Sequence, residues 1–169
     1  AIAKILDGNI DIVLVGDSLG GTLYGMKNSR GVTLNMMKMH GLAVNKSVKK
    51  SMTVVDMPFN TYNKKLTALK NAKELLNYTK ANMLKIEITK KNLPILKYLS
   101  DKNLKIIAHI GVTPQSYTDF KKIKAVGKES SESKKLLDLA LDAEKAGAQV
   151  LLLECITEQT AKKITKLSK

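Results

Sequence analysis

The sequence predicts an α/β protein built on a parallel sheet, and three observations carry that prediction. Short apolar runs alternate with amphipathic helical stretches from one end of the chain to the other. The runs are nearly continuous in Ile, Leu and Val, as strands covered on both faces are. Each run also ends in, or just before, a titratable residue.

The strands are expected at residues 10–15, 52–55, 83–88, 104–110 and 149–153. Helices are expected over residues 34–48, 63–80 and 133–146. The second carries Leu66, Leu69, Leu76 and Tyr78 among its charges. The third carries Leu136, Leu137, Ala140 and Leu141, follows serines suited to capping, and stops at Gly147. Ala1 to Leu6 reads as the last turns of a helix stopped near Gly8, and the pattern of Ala161, Ile164 and Leu167 runs into Lys169 without a cap. Both ends therefore read as cut. Residues 1–169 are expected to form a single domain, the central fragment of a larger fold.

Composition limits the function classes. The 169 residues are 44% hydrophobic and 26% charged, as in an ordinary globular domain. No apolar run approaches the ~20 residues of a membrane span and no signal-peptide pattern opens the chain, so no membrane partner is expected. Cys155 is the single cysteine, which excludes an internal disulfide and points to a reducing, cytoplasmic location. The net charge of +14 suggests an anionic partner, but it comes from 28 Lys and one Arg, Arg30. Phosphate and base recognition favour arginine forks and aromatic platforms. With two Phe, five Tyr and no Trp, the lysines read as a solvated surface and no nucleic-acid partner is expected.

The polar residues decide between an open doubly wound sheet and a closed barrel. Asp17 follows the first strand, Asp56 the second, Glu87 comes late in the third, and His109 and Glu154 close the fourth and fifth. An open sheet uses mainly its switch-point strands, whereas a barrel collects catalytic groups from the C-terminal ends of many. The distribution therefore favours a (β/α)8 (TIM) barrel, present in part. Asp17, Asp56 and Glu87 form a hard-oxygen set suited to Mg²⁺; no His or Cys pair has zinc-ligand spacing. The alternative is that these acids cap the following helices.

Lys85 stands two residues before Glu87 and shares its side of the strand, where an ammonium beside a metal holds the carboxylate of a 2-oxo acid. Glu154 ends an apolar run, where burial would raise its pKa toward that of a general base. Cys155 is expected to point the other way, as a core thiol. The glycines of residues 16–21 lack the spacing of a nucleotide loop. His40, inside a helix, reads as packed or exposed rather than ligating.

Taken together, Val15-Gly16-Asp17-Ser18-Leu19-Gly20, Val32-Thr33-Leu34, Asp56-Met57-Pro58-Phe59, Lys85-Ile86-Glu87, His109 to Ser116 and Leu153-Glu154-Cys155 resemble successive signatures of the ketopantoate hydroxymethyltransferase family, in order, over nearly the whole chain. The resemblance implies barrel strands two to six, with the first strand and the last two outside the chain. It also implies Mg²⁺-dependent transfer of a hydroxymethyl group from 5,10-methylenetetrahydrofolate to 2-oxoisovalerate. The product is ketopantoate (2-dehydropantoate), on the route to pantothenate and coenzyme A.

Matched positions give Asp17, Asp56 and Glu87 as metal ligands, and Asp17, Ser18, Asp56 and Lys85 as oxo-acid contacts. Glu154 falls at the proton acceptor and His109 at a site-lining position. Full-length members form homo-oligomers, often decamers. Ile88-Thr89 departs from the family, which often has glycines there. Another enolate-forming barrel, of the phosphoenolpyruvate mutase and isocitrate lyase type, shares the acidic shell but not these loop motifs. A barrel segment with two open apolar edges is expected to aggregate or be inactive by itself.

Overall fold

In the computed structural model, residues 1–168 are described; Lys169 lies outside them. The chain divides into two compact units, Ala1–Lys85 and Ile86–Lys169.

The first unit comprises α1 (Ile2–Leu6), β1 (Ile12–Val15), α2 (Leu19–Tyr24), a 3-10 turn (Ser29–Gly31), α3 (Leu34–Asn45), β2 (Met52–Asp56), α4 (Lys65–Thr79) and the start of β3 (Met83–Glu87). The strands are parallel, with Val15 level with Val55 and Asp56 level with Lys85. This register brings the C-terminal ends of β1, β2 and β3 to one rim. β2 is buried from Thr53 to Asp56; α3 packs on it with Met37 buried, and α4 packs against α3 with Ala68, Ala72 and Leu75 buried.

The buried row of α4 is thus Ala68, Ala72, Leu75 and Thr79. Leu66 and Tyr78, expected on the apolar face, are exposed. Small residues win here because α3 and α4 approach closely: a Cβ on Gly41 would lie 2.7 Å from Thr79 Cγ2 and 3.0 Å from Val55 Cγ2. α3 is capped by Thr33, whose Oγ1 accepts from Met36 N.

β1 starts two residues later than expected because the chain before it is held by side-chain bonds. The Asp7 carboxylate accepts from the backbone N–H groups of Lys49, Lys50 and Ser51 at 2.8–2.9 Å, and Ser51 Oγ donates to Ile10 O. These bonds hold the Asp7 carboxyl below the ordinary carboxylate value, the Ser51 N–H having the largest effect. An acid whose pKa falls on folding adds stability above its unfolded value of 3.8, and that stability is lost as pH drops through the folded value. Asp7→Ala is therefore expected to lower the melting temperature at pH 7, with the gap from wild type closing below about pH 4. A thermal series from pH 3 to 7 checks it.

The second unit holds the end of β3, α5 (Leu93–Ser100), β4 (Ile106–Gly111), a 3-10 turn (Pro114–Ser116), α6 (Ser130–Lys145), β5 (Val150–Glu154) and α7 (Glu158–Leu167). β4 and β5 are parallel, with Gly111 level with Glu154. Ile106, Ile107, Ala108 and Ile110 of β4 are buried among Leu96 and Leu99 of α5 and Leu139, Ala140 and Ala143 of α6.

α6 begins three residues earlier than expected, and the serines are not its cap. Ser130, Ser131 and Ser133 lie inside the helix, while the N-cap residue is Glu129, with no side-chain cap bond. Ser133 is instead buried and accepts from Thr160 Oγ1 at 2.8 Å, joining α6 to α7. Gly147 does end the helix, at φ +98°.

Burial on both faces holds for β2, β3 and β4. It does not hold for β1 and β5: Leu14 is exposed, and residues 150–153 are only half-buried. Among the described residues no helix is long and apolar enough to cross a membrane.

Candidate functional site

In the first unit the rim carries Asp17, Asp56 and Lys85, each at most 5% exposed. Asp17 lies two residues past β1, at the sharp turn into α2. Gly16 permits this turn: a Cβ there would press on Ser18 Oγ at 3.0 Å and approach Asp56 Oδ2 at 3.5 Å. Asp17 N donates to Asp56 Oδ2 at 3.0 Å, and Lys85 Nζ lies 2.7 Å from Asp56 Oδ1. Asp56 thus ties all three strands together. Ser18, the N-cap residue of α2, is exposed and makes no side-chain cap bond.

Burial pushes the Asp56 carboxyl up to about 6; the Lys85 charge opposes this and the Asp17 charge adds to it. An acid whose pKa rises on folding is protonated more readily in the folded protein than in the unfolded chain. The stability linked to that proton is complete below 3.8, and it is lost as pH rises through about 6. In the metal-free protein this amounts to about 3 kcal/mol, at 1.4 kcal/mol per unit of pKa. Asp56→Asn is expected to remove that slope. Urea unfolding of both proteins between pH 4 and 7 measures the difference.

In the second unit, Glu87 ends β3, 4% exposed, and its Oε1 accepts from Gln115 N at 3.0 Å. Asn92 Nδ2 donates to Glu87 O at 2.7 Å, pinning the strand end from the next loop. His109 of β4 is 1% exposed, and its Nε2 lies 3.4 Å from Glu154 Oε2.

Glu154 is not buried as its apolar neighbours suggested: its side chain is 46% exposed. The reason is that it closes the half-buried strand β5 and is followed by Cys155 in a left-handed conformation, φ +54°. Cys155 is correspondingly exposed rather than a core thiol. Gly111, opposite, also has a positive φ, +109°, and a Cβ there would meet Glu154 O at 2.3 Å.

The structure therefore brings together Asp17, Asp56 and Lys85 in one unit, and His109 with Glu154 in the other. Among the described residues no group of three or more His, Cys, Asp or Glu is gathered for a metal ion. The Asp17–Asp56 pair nevertheless matches what Mg²⁺ takes, one or two carboxylates with the rest of its shell from water and substrate. Burial chiefly, with the Asp17 charge adding to it, disfavours the charged Asp56 carboxylate, and a divalent cation would favour that charged form.

The capping alternative does not describe these acids. The N-cap residues of α2, α4, α5 and α7 are Ser18, Lys64, Asn92 and Thr157. His40 accepts or donates a 2.8 Å bond with Tyr24 Oη and stacks on it edge-on. Sequence reasoning missed Gln115, which acts through a backbone N–H, a group no residue type announces. It also missed the stacking of Arg30 over Phe59 at 4.2 Å; the signal available was that Arg30 is the chain's one arginine.

Solved structures share this fold, two of them as follows. One is 2,3-dimethylmalate lyase, a member of the PEP mutase/isocitrate lyase superfamily, with a TM-score of 0.64 at 16% identity over 97% of this chain and 59% of that one. The other is oxaloacetate acetylhydrolase, at 0.66 and 11%, over 97% and 58%. Fold and rim together define a parallel α/β protein of the (β/α)8-barrel class with acidic groups at its strand ends.

The particular family follows from sequence. The family model of ketopantoate hydroxymethyltransferase matches residues 1–169. The chain is 45% identical over 168 residues to the 3-methyl-2-oxobutanoate hydroxymethyltransferase of Pelagibacter ubique (strain HTCC1062), covering 99% of this chain and 64% of the relative. It is 38% identical to that of Helicobacter pylori (strain Shi470), covering 99% and 62%. The chain belongs to the ketopantoate hydroxymethyltransferase family, a family of transferases, and spans less than two thirds of these relatives' length.

Proposed function

We propose that this chain carries the metal- and oxo-acid-binding part of a 3-methyl-2-oxobutanoate hydroxymethyltransferase. The reaction moves a hydroxymethyl group from 5,10-methylenetetrahydrofolate to 2-oxoisovalerate, giving ketopantoate for pantothenate and coenzyme A synthesis. The observation that carries this reading is the buried Asp17–Asp56–Lys85 cluster at the ends of three adjacent strands. It offers two hard-oxygen ligands and a cation, the groups that recognise an α-oxo carboxylate.

Asp17, Asp56 and Glu87 are assigned to Mg²⁺, which when bound polarises the oxo-acid carbonyl and acidifies the neighbouring C–H. Asp17, Ser18, Asp56 and Lys85 hold the oxo acid, the Lys85 ammonium facing its carboxylate. Glu154 accepts the C3 proton, with His109 beside it. The resulting carbon nucleophile replaces one of the two folate C–N bonds of the one-carbon unit with a C–C bond. Water replaces the other, supplying the hydroxyl, and the two folate nitrogens take up the C3 proton's equivalent and a proton from that water. A cytoplasmic location and a homo-oligomer, decameric in the complete protein, belong to the same reading.

The test follows loss of the C3 proton of 2-oxoisovalerate in D₂O by the complete gene product, without folate, with and without Mg²⁺. Mg²⁺-dependent exchange supports the assignment; a folded wild type that catalyses none sinks it. The two fold neighbours favour one alternative, an enolate-forming lyase or hydrolase of the PEP mutase/isocitrate lyase type. Turnover that needs no folate donor would decide for it.

A further inference from the structure

Arg30 is the chain's single arginine among 28 lysines, and its position is built. It lies in the 3-10 turn Ser29–Gly31, whose start is capped by Asn28 Oδ1 accepting from Arg30 N at 3.0 Å. Its guanidinium stacks over the Phe59 ring, 4.2 Å from the centroid. Phe59 is itself fixed by the turn after β2, where Thr61 donates to Pro58 O through both N and Oγ1. Phe59 follows Asp56 by three residues, and Arg30 precedes α3 on the return from β1. Both therefore stand on the rim that carries Asp17 and Asp56. Arg30 is exposed, and among the described residues it makes no ion pair.

Stacking uses the face of a guanidinium and leaves the N–H donors at its edge, where they match a carboxylate in two parallel bonds. Lysine cannot do this. We infer that Arg30, held over the ring of Phe59, is the anchor for the carboxylate tail of the one-carbon donor, which sets the affinity for that substrate. This deepens the reaction proposed above and rests on it. On that reading the oxo acid's carboxylate goes to Lys85, 4% exposed. An exposed arginine on the rim suits an acid at the end of a long donor, whose pterin end must lie near the attacking carbon of the oxo acid and whose glutamate reaches outward.

The test compares two donors in the complete gene product: 5,10-methylenetetrahydrofolate and 5,10-methylenetetrahydropteroate. The second lacks the glutamate and keeps only the benzoate carboxylate, closer to the pterin and short of an anchor set for the glutamate. For wild type the KM for the pteroate donor should be about tenfold the higher, as for loss of a charged hydrogen-bond pair. Arg30→Ala and Arg30→Lys should each raise the KM for the folate donor about tenfold, with kcat within about twofold, and leave the KM for the pteroate donor unchanged. Phe59→Leu should give a smaller rise of the same kind. An equal rise for both donors, a rise only in the KM for 2-oxoisovalerate, or no change would overturn the inference. A folded wild type that turns over neither donor would overturn the reaction itself, and the inference with it.

Discussion

Glu154→Gln is expected to lower Mg²⁺-dependent C3 proton exchange and overall turnover about 10²- to 10⁴-fold, the range that a positioned general base contributes. The substitution keeps the shape of the side chain and removes its basicity. It falls on a half-exposed residue whose backbone carbonyl still accepts from Val112 N at 2.9 Å, so the fold should be unaffected. Equilibrium binding of 2-oxoisovalerate should also persist, because the proposed carboxylate contact is Lys85. The measurement is exchange by proton NMR beside a thermal melt. Exchange within tenfold of wild type in a folded Glu154→Gln protein would remove Glu154 as the base. The exposure of Glu154 leaves its carboxylate in contact with water.

Lys85→Met should have the largest effect on stability. Lys85 and Asp56 form an ion pair at 2.7 Å with side chains 5% and 3% exposed. Removing one partner of a buried pair leaves an uncompensated charge and costs about 3–5 kcal/mol. The cost is bounded by protonation, because losing the Lys85 charge takes away what holds the Asp56 carboxyl down, and its pKa then rises above about 6. The destabilisation should therefore be larger at pH 8 than at pH 5, where Asp56 holds its proton. The double variant Lys85→Met/Asp56→Asn should regain most of the loss. Denaturant unfolding of the three proteins at both pH values measures this, and a Lys85→Met protein as stable as wild type at pH 8 would show the pair to be neutral. Binding of the oxo acid should weaken roughly tenfold or more in the same variant.

The fold was legible because its signal is repetitive. Five apolar runs alternating with amphipathic helices need little more than composition and periodicity to be recognised. The errors fell where packing detail overrides pattern. Leu66 and Tyr78 looked like core and are exposed, since Gly41 brings α3 so near to α4 that small side chains take the contact. The serines before α6 looked like caps, yet Ser133 is used to join α7.

The candidate site divides in the same way. That Asp17, Asp56, Glu87 and Glu154 stand at or just past strand ends follows from the sequence, because strand length and alternation fix which residue reaches the rim. His109, expected to close its strand, lies inside β4, which runs on to Gly111. The family also follows from the sequence, carried by motifs whose order and spacing depend on no coordinate. Only the tertiary structure decided that Asp56 is the hub that pairs with Lys85 and receives Asp17 N–H, and that burial lifts its pKa to about 6. Only it set Glu154 and Cys155 out toward solvent, and Arg30 over the ring of Phe59. The physical reason is that periodicity reports which way a side chain leaves its own strand. Charge state and pairing depend on what other strands and loops place around it, and those distances are set by register and by turns that no local pattern encodes.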